Sequence, residues 1–374
     1  MKQRTFNILL TVLFCLFIGG MFLGSILLPD RTFSQLENRN LAAAPKLSWE
    51  TVTTGTFMED AEDYVNDQII GRDFWVALKA WSERVSGKQE NNGVYFAKED
   101  TLISRVDTPE QSTLDTNAGY VNALVDNVDV PVYFGIIPSA AEIWSDRLPE
   151  GAPTADEKAI IDRLYNEVQT HVIDLYSVLN AHKDEELYYR TDHHWTSLGA
   201  YYGYTALMNA MGLEAVPLDE SQKVTVSDEF YGTLFSSSGV RWLPPDHIDR
   251  YISDEGVTVT AYPNGAPEPG SLYVDSYLEV KDKYSSFLGG NKPLCVIETE
   301  HTDAPKVLVI RDSYADSLAP FLTQNFSEIH LFDPRMNLTS VKDYVVQNEI
   351  DSVVVLYSIS NFFAKGSQLF VLGG

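Results

Sequence analysis

The first feature of the chain is an apolar run over residues 6–28 that contains no charged side chain. At about 1.5 Å per residue, a run of 23 residues can cross a hydrocarbon core of roughly 30 Å. Lys2 and Arg4 precede the run, so the positive-inside rule keeps the N-terminus in the cytosol. The pattern predicts a transmembrane anchor over residues 1–29, with residues 30–374 outside the cytosol. A cleaved signal peptide and a buried core helix are the alternatives.

Farther along, continuous apolar runs of strand length alternate with amphipathic stretches. The predicted strands cover residues 131–137, 171–176, 186–190, 306–310, 328–332 and 352–357. The predicted helices cover residues 155–169 and 196–212 and a short stretch around 341–345. Strands that are apolar throughout and alternate with helices are typical of a parallel sheet covered on both faces. The sequence therefore predicts an α/β fold with helices on both faces of a parallel sheet.

Three further regions lie outside this alternation. Residues 30–56 are rich in Asn, Thr and Pro and are interpreted as an irregular arm. Residues 58–86 are predicted to be helical because four apolar residues recur at helical spacing. This apolar stripe consists of Phe74, Leu78, Trp81 and Val85. Its simplest interpretation is core packing. Residues 218–300, with short alternating pieces and many Gly, Pro and Ser, are interpreted as an irregular or β-rich insertion.

Composition narrows the class of protein. The chain has 374 residues, of which 44% are hydrophobic, so it is neither disordered nor a disulfide-bonded mini-protein. Its formal net charge of −26 argues against nucleic acid and against an anionic membrane surface as partners. No disulfide or structural zinc site is expected from Cys15 and Cys295, because Cys15 lies within the predicted anchor.

The most informative polar segment is Asp192-His193-His194-Trp195, between a predicted strand and a predicted helix. In an extended backbone alternate side chains share a side, so Asp192 and His194 point one way and His193 the other. A carboxylate beside an imidazole fixes its tautomer and supports its positive charge, as in the orienting pair of an acyl-transfer triad. The alternatives are a capped turn at a helix N-terminus and a metal site formed by Asp192, His193 and His194.

A second polar segment contains Ser313, which follows the strand predicted at 306–310. Sites in α/β sheets form outside the carboxyl ends of strands, where the amides of the next turn can stabilise an oxyanion. The Gly-x-Ser-x-Gly elbow of α/β-hydrolases is absent. The alternative for Ser313 is a helix N-cap. Arg335 follows the next strand and is interpreted either as an anion-binding residue or as a partner of Asp333.

These segments resemble the DHHW family, whose members are membrane-anchored proteins of bacteria. The family name is spelled by Asp192-His193-His194-Trp195, and the resemblance extends from about residue 35 to the C-terminus. Other similar stretches are Glu37-Asn38-Arg39, Gly71-Arg72-Asp73, Asn92-Gly93-Val94-Tyr95, Leu288-Gly289-Gly290-Asn291, Asp312-Ser313-Tyr314 and Asp333-Pro334-Arg335.

DHHW proteins in turn resemble the SGNH-like O-acetyltransferases of alginate biosynthesis, which carry an Asp-x-His-Trp segment ahead of a Gly-Asp-Ser-Tyr/Phe-like segment. The resemblance implies an SGNH-hydrolase-like fold in which Asp192 orients His194, His194 is the base and Ser313 is the nucleophile. The remaining candidates for substrate or oxyanion contacts are His193, Tyr314 and Arg335. Arg311 stands where that family has glycine, beside the expected oxyanion pocket, and His193 fills the variable position.

The resemblance implies serine-dependent transfer or removal of an O-acetyl group on a cell-envelope or exported polysaccharide. The protein is expected to be a single-pass membrane protein with its bulk outside the cytoplasm, and to need neither cofactor nor metal. Transfer requires an acetyl donor, which a membrane partner protein would supply. The alternatives are a non-catalytic glycan-binding or scaffold protein of a polysaccharide-modifying complex, and a metal-dependent hydrolase.

Overall fold

The computed structural model describes residues 3–373 and divides the chain into two compact units. The first unit contains the residues up to Lys88 together with Ser236–Trp242, and the second contains Gln89–Phe235 and the residues from Leu243 onward. The helices, in chain order, are α1 Gln3–Leu27, α2 Trp49–Thr54, α3 Thr56–Gln68, α4 Arg72–Val85, α5 Gln111–Asn127, α6 Ala140–Ile143, α7 Glu157–Glu167, α8 Leu175–Ala181, α9 Ser197–Met211, α10 Thr233–Ser238, α11 Ala315–Leu322, α12 Val341–Gln347 and α13 Ile359–Phe362.

The strands form one large sheet and three small ones within the described residues. They are β1 Phe33–Ser34, β2 Arg39–Asn40, β3 Glu90–Asn91, β4 Val94–Phe96, β5 Leu102–Ser104, β6 Val132–Ile137, β7 His171–Val172, β8 Val224–Phe230, β9 Asp246–Arg250, β10 Thr258–Ala261, β11 Glu268–Pro269, β12 Leu294–Glu298, β13 Lys306–Arg311, β14 Glu328–Phe332 and β15 Ser352–Ser358.

The first unit begins with α1, none of whose described residues is buried. This helix is long and apolar enough to span a membrane. The arm predicted to be irregular contains the short pair β1–β2 and the helix α2. The stretch predicted to be helical over 58–86 is helical in the structure, but it is not one continuous helix. It is divided into α3 and α4 at Gly71, whose φ of 67° is left-handed.

The interpretation of the α4 stripe as core packing is wrong. Phe74, Leu78, Trp81 and Val85 are 61%, 39%, 55% and 66% exposed, respectively. Helical spacing shows that four apolar residues share a face, but it does not show what that face contacts. This apolar face therefore lies open on the first unit.

The second unit is built on an eight-stranded sheet in the order β11-β10-β12-β14-β13-β15-β6-β7. The five strands from β14 to β7 are parallel to one another, and β12 pairs antiparallel with β14. All seven residues of the central strand β15 are buried, as expected for a sheet covered on both faces. The helices pack in two groups, one of α8, α9 and α11 and the other of α5, α7 and α12. The predicted α/β fold with a mostly parallel sheet is confirmed.

Two of the predicted strands differ from the structure. The strand predicted at 171–176 is limited to β7, because Asp174 accepts a hydrogen bond from Ser177 N and caps α8. No strand forms at 186–190, where only Tyr188 makes an isolated antiparallel bridge, to Trp195. Leu187, Tyr188 and Tyr189 are at most 2% exposed. The apolar run there thus reflects burial rather than strand pairing.

Candidate active site

The candidate site lies at the carboxyl end of β13, in the turn that leads into α11. Ser313 occupies this turn, and the preceding Asp312 is fully buried. One oxygen of Asp312 accepts a hydrogen bond from Tyr314 N at 3.0 Å. The other accepts hydrogen bonds from Ser358 N at 2.9 Å, Ser358 Oγ at 2.5 Å and Asn361 Nδ2 at 2.8 Å. Asp312 therefore ties the serine turn to the end of the neighbouring strand β15.

The histidine segment is held in a tight loop between Tyr188 and Trp195. Tyr189 N donates to His194 O at 3.2 Å inside the bridge that closes this loop. The indole of Trp195, which is fully buried, donates to Tyr314 O at 2.9 Å and Ser317 Oγ at 3.0 Å. Two stretches more than a hundred residues apart in sequence are thus fixed to each other by one side chain.

This packing brings a hydroxyl, an imidazole and a carboxylate into one chain of contacts. His194 Nε2 lies 2.8 Å from Ser313 Oγ. His194 Nδ1 lies 2.6 Å from Asp192 Oδ1. Both distances are within hydrogen-bond reach, and the imidazole connects the hydroxyl to the carboxylate. The arrangement has the geometry of a Ser-His-Asp triad.

The carboxylate of Asp192 accepts hydrogen bonds on both oxygens. Oδ1 also accepts from His194 N at 3.0 Å, and Oδ2 accepts from Thr233 N at 2.7 Å and Thr233 Oγ1 at 3.0 Å. Burial by itself raises the pKa of Asp192, but the charges of His193 and His194 and these hydrogen bonds lower that pKa well below its usual range. Asp192 is therefore an anion across the physiological pH range, poised to stabilise a protonated imidazole.

Three side chains from the 218–300 region complete the site, and sequence analysis did not identify them. The Tyr284 ring stacks on His194 with a centroid separation of 3.8 Å and an interplanar angle of 10°. The Tyr284 hydroxyl donates to Ser313 O at 2.9 Å. Thr233 binds Asp192 as described above, and Asp246 accepts hydrogen bonds from Arg190 N at 3.0 Å and Thr191 N at 2.8 Å. No periodic pattern marks these positions in the sequence.

Gly232 packs directly against the triad carboxylate. A Cβ atom at Gly232 would lie 2.2 Å from Asp192 Cβ and 2.3 Å from Asp192 Oδ2. Such distances are far inside van der Waals contact. The residue must therefore be glycine for Asp192 to keep its position.

Gly232→Ala is expected to lower kcat for ester hydrolysis by about tenfold to a hundredfold, because the new methyl group displaces Asp192 from His194. The measurement is steady-state hydrolysis of a chromogenic acetyl ester by the purified full chain. Gly119→Ala is the matched control, since a Cβ added at Gly119, in α5, would meet no neighbouring atom within 4 Å. Equal activity of Gly232→Ala and wild type would contradict the close packing.

Arg311, expected beside the oxyanion pocket, is fully buried and points to two other partners. Its Nη1 lies 2.9 Å from Asp316 Oδ1 and donates to Asn291 Oδ1 at 2.6 Å. Burial raises the pKa of Asp316 to about 6, although the Arg311 guanidinium opposes this shift. Arg311, at the end of β13, thus connects α11 through Asp316 to the Leu288-Gly289-Gly290-Asn291 segment through Asn291.

The three remaining candidates are placed differently. His193 Nδ1 lies 2.7 Å from Thr233 Oγ1, and its partly exposed ring lines a cavity of about 150 Å³ together with Tyr314 and Ser358. Both donors of Tyr314 are occupied, because its amide binds Asp312 and its hydroxyl donates to His193 O. Arg335 forms a two-pronged ion pair with Asp333, with contacts of 2.8 and 2.6 Å.

The metal alternative would use Asp192, His193 and His194 as ligands. Each of the three offers a ligand atom, and these atoms lie within 4.8 Å of one another. Both nitrogens of His194 are already engaged, one by Asp192 and the other by Ser313. Metal binding through His194 would have to break one of these contacts, so the hydrogen-bond pattern favours the triad.

Comparisons with known proteins agree with this architecture. The family model described as DHHW protein matches residues 110–332. The chain is 26% identical in sequence to a DHHW family protein from Eubacterium siraeum DSM 15702, whose crystal structure is known. The two structures match with a TM-score of 0.66, and the match covers 75% of this chain and 95% of that one. Bacillus cereus PatB1, solved with a sulfonyl adduct, is 19% identical with a TM-score of 0.60, covering 74% of this chain and 99% of that one. The likeness to PatB1 confirms the predicted SGNH-hydrolase-like fold.

A third solved structure is less similar. The O-acetyltransferase domain of Pseudomonas putida AlgJ is 16% identical with a TM-score of 0.45, covering 73% of this chain and 93% of that one. No curated protein matches the sequence.

Proposed function

The chain belongs to the DHHW protein family, and from that premise we propose that it is a serine-dependent enzyme acting outside the cytoplasm. Its proposed reaction is the transfer or removal of an O-acetyl group on a cell-envelope or exported polysaccharide. The observation that carries this proposal is the contact of 2.8 Å between His194 Nε2 and Ser313 Oγ, with Asp192 behind the imidazole.

The proposed first half-reaction forms an acetyl-enzyme. Ser313 Oγ attacks the acetyl carbonyl carbon while His194 Nε2 accepts the hydroxyl proton, and Asp192 stabilises the resulting imidazolium. The donor's oxygen leaves with the proton that His194 carried. Ser313 N, which donates no hydrogen bond to another group in residues 3–373, is the proposed donor to the oxyanion.

The second half-reaction decides between transfer and hydrolysis. A sugar hydroxyl or a water attacks the acetyl-enzyme and gives its proton to His194, and Ser313 Oγ leaves and takes that proton back. A sugar acceptor gives an O-acetylated polysaccharide, whereas water gives acetate. The formal charge of −26 suits neutral or amino sugars better than polyanionic ones.

The proposed location is the outer face of the cell membrane, with α1 as a single-pass anchor. The length and composition of α1 support this location, and the basic residues Lys2 and Arg4 ahead of it support a cytoplasmic N-terminus. Because soluble acetyl donors are cytoplasmic metabolites, an acetyltransferase outside the membrane would need a membrane partner protein that delivers the acetyl group.

The experiment that tests the proposal is covalent labelling of the purified full chain with phenylmethylsulfonyl fluoride. A sulfonyl fluoride reacts with an activated serine, and PatB1, which shares the fold, carries a sulfonyl adduct. We expect one adduct by intact mass, located on Ser313 by peptide mapping and absent from Ser313→Ala. Ser112→Ala, at an exposed position of α5, is the matched control and should be labelled like wild type. A folded chain that takes up no adduct would favour a non-catalytic glycan-binding protein.

A further inference from the structure

The helix α4 presents an apolar face that the described chain leaves uncovered. At about 100° per residue, its stripe of Phe74, Leu78, Trp81 and Val85 lies along one side of the helix. Every one of these side chains is at least 39% exposed. A contiguous exposed stripe of this kind, with two aromatic rings, marks an interaction surface, whereas apolar residues scattered singly over a surface do not.

Contacts within the first unit place the start of α4 beside α1. Ile70 N donates to Ser25 Oγ at 3.0 Å. The Ile70 side chain packs on Gly24, where a Cβ would lie 2.8 Å from Ile70 Cδ1. The rings of Phe17 and Trp75 meet edge to face with centroids 6.2 Å apart. The first turn of α4 therefore lies against the apolar surface of α1.

These contacts reach well into the apolar part of α1. Phe17 lies ten residues before Leu27, the last residue of the helix, which corresponds to about 15 Å along the axis. If α1 crosses a bilayer, the Trp75 ring that touches Phe17 lies in or next to hydrocarbon. The stripe on α4 is then continuous with a surface that already faces lipid.

The charge of α4 also fits a lipid surface. The helix carries three basic residues, of which Arg72 is paired with Glu37 and Asp67, and two acidic ones, whereas the preceding α3 carries five acidic residues and no basic ones. Amphipathic helices with Trp and Phe on one face and basic residues among the others lie in the plane of the membrane interface. In a chain of net charge −26, α4 is a local exception.

We propose that α4 is a membrane-interface helix whose apolar stripe inserts into the outer leaflet next to α1, and that its occupant is lipid. The inference rests on the proposed membrane anchorage by α1. A protein partner is disfavoured because the stripe adjoins the lipid-facing surface of the anchor. A zwitterionic bilayer suffices, since hydrophobic burial rather than charge provides the attraction.

The test is spin-label accessibility of the full chain in phosphatidylcholine nanodiscs. Leu78→Cys and Trp81→Cys report on the stripe, and Lys79→Cys, exposed outside it on the same helix, is the matched control. These variants carry Cys15→Ala, while the unaltered chain labelled at Cys15 reports on α1. Cys295 is buried, and burial raises the pKa of its thiol to about 11, so it does not compete for the label.

We expect the ratio of oxygen to nickel-complex accessibility to be severalfold higher at residues 15, 78 and 81 than at 79, because oxygen concentrates in lipid and the nickel complex stays in water. Stripe labels as accessible to nickel as Lys79→Cys would overturn the inference. Stripe labels shielded from both reagents would also overturn it, since a partner protein or second copy would then cover the face. A nickel-accessible Cys15 would reject the anchor as well, which separates the two failures.

Discussion

Ser313→Ala is expected to lower kcat for hydrolysis of a chromogenic acetyl ester by about a thousandfold or more, because the variant has no oxygen to attack the carbonyl. The Ser313 hydroxyl contacts His194, and its neighbours are held through the backbone and through Asp312. Removing one oxygen should therefore leave the fold and its melting temperature intact. The measurement is the steady-state rate of the purified full chain with 4-nitrophenyl acetate.

The control for this experiment is Ser112→Ala, which should retain full activity. Unchanged turnover in Ser313→Ala would reject Ser313 as the nucleophile. Adding a chelator in the same assay addresses the metal-dependent alternative, because a hydrolase that depends on a metal would lose activity while a serine triad would not.

Asp192→Asn is expected to lower kcat by about a thousandfold to ten-thousandfold, with a much smaller change in KM. Asp192 accepts hydrogen bonds on both oxygens, from His194 on one and from Thr233 on the other. Asparagine has one acceptor oxygen and one NH₂ donor, so it cannot satisfy both neighbours. If the NH₂ group faces Nδ1, the proton of the imidazole moves to Nε2, which can then no longer accept the proton of Ser313.

The measurement is kcat and KM of Asp192→Asn beside Asp228→Asn, which changes an exposed carboxylate on β8 and should behave like wild type. A matching melting temperature shows that the variant is folded. Retention of more than about a tenth of the wild-type kcat would mean that Asp192 is only a structural cap of its loop.

The sheet was predictable because its central strands are buried on both faces. Such strands are apolar throughout, and β6, β13, β14 and β15 all appear in the sequence as continuous runs. The segment 186–190, which has three apolar residues between Glu186 and Arg190, is also predicted to be a strand but forms none. Its backbone makes only single contacts, with the Asp246 carboxylate, with Leu102 N of β5 at Arg190 O and with Trp195 through the isolated bridge, rather than the repeated hydrogen bonds of a strand pair.

Only those residues of the candidate site that lie in short sequence motifs with a recognisable chemistry could be predicted. Asp192, His194 and Ser313 stand out because a carboxylate next to an imidazole, and a serine after a buried strand, are uncommon combinations. Tyr284 does not stand out, since it is one of 20 tyrosines and lies in a region without periodicity. Its position on His194 results from tertiary packing of the 218–300 region, which no local pattern reports.

In the proposed mechanism, the packing of Tyr284 on His194 also bears on the order in which the substrates enter. Its ring lies flat against the His194 imidazole while Asp192 holds Nδ1, so the imidazole keeps one orientation and Nε2 alone faces Ser313. In the proposed mechanism this nitrogen handles the proton in both half-reactions, and the donor and acceptor alcohols must occupy one position in turn. Such an enzyme obeys ping-pong kinetics, with parallel lines in double-reciprocal plots and competition between acceptor and donor for the free form.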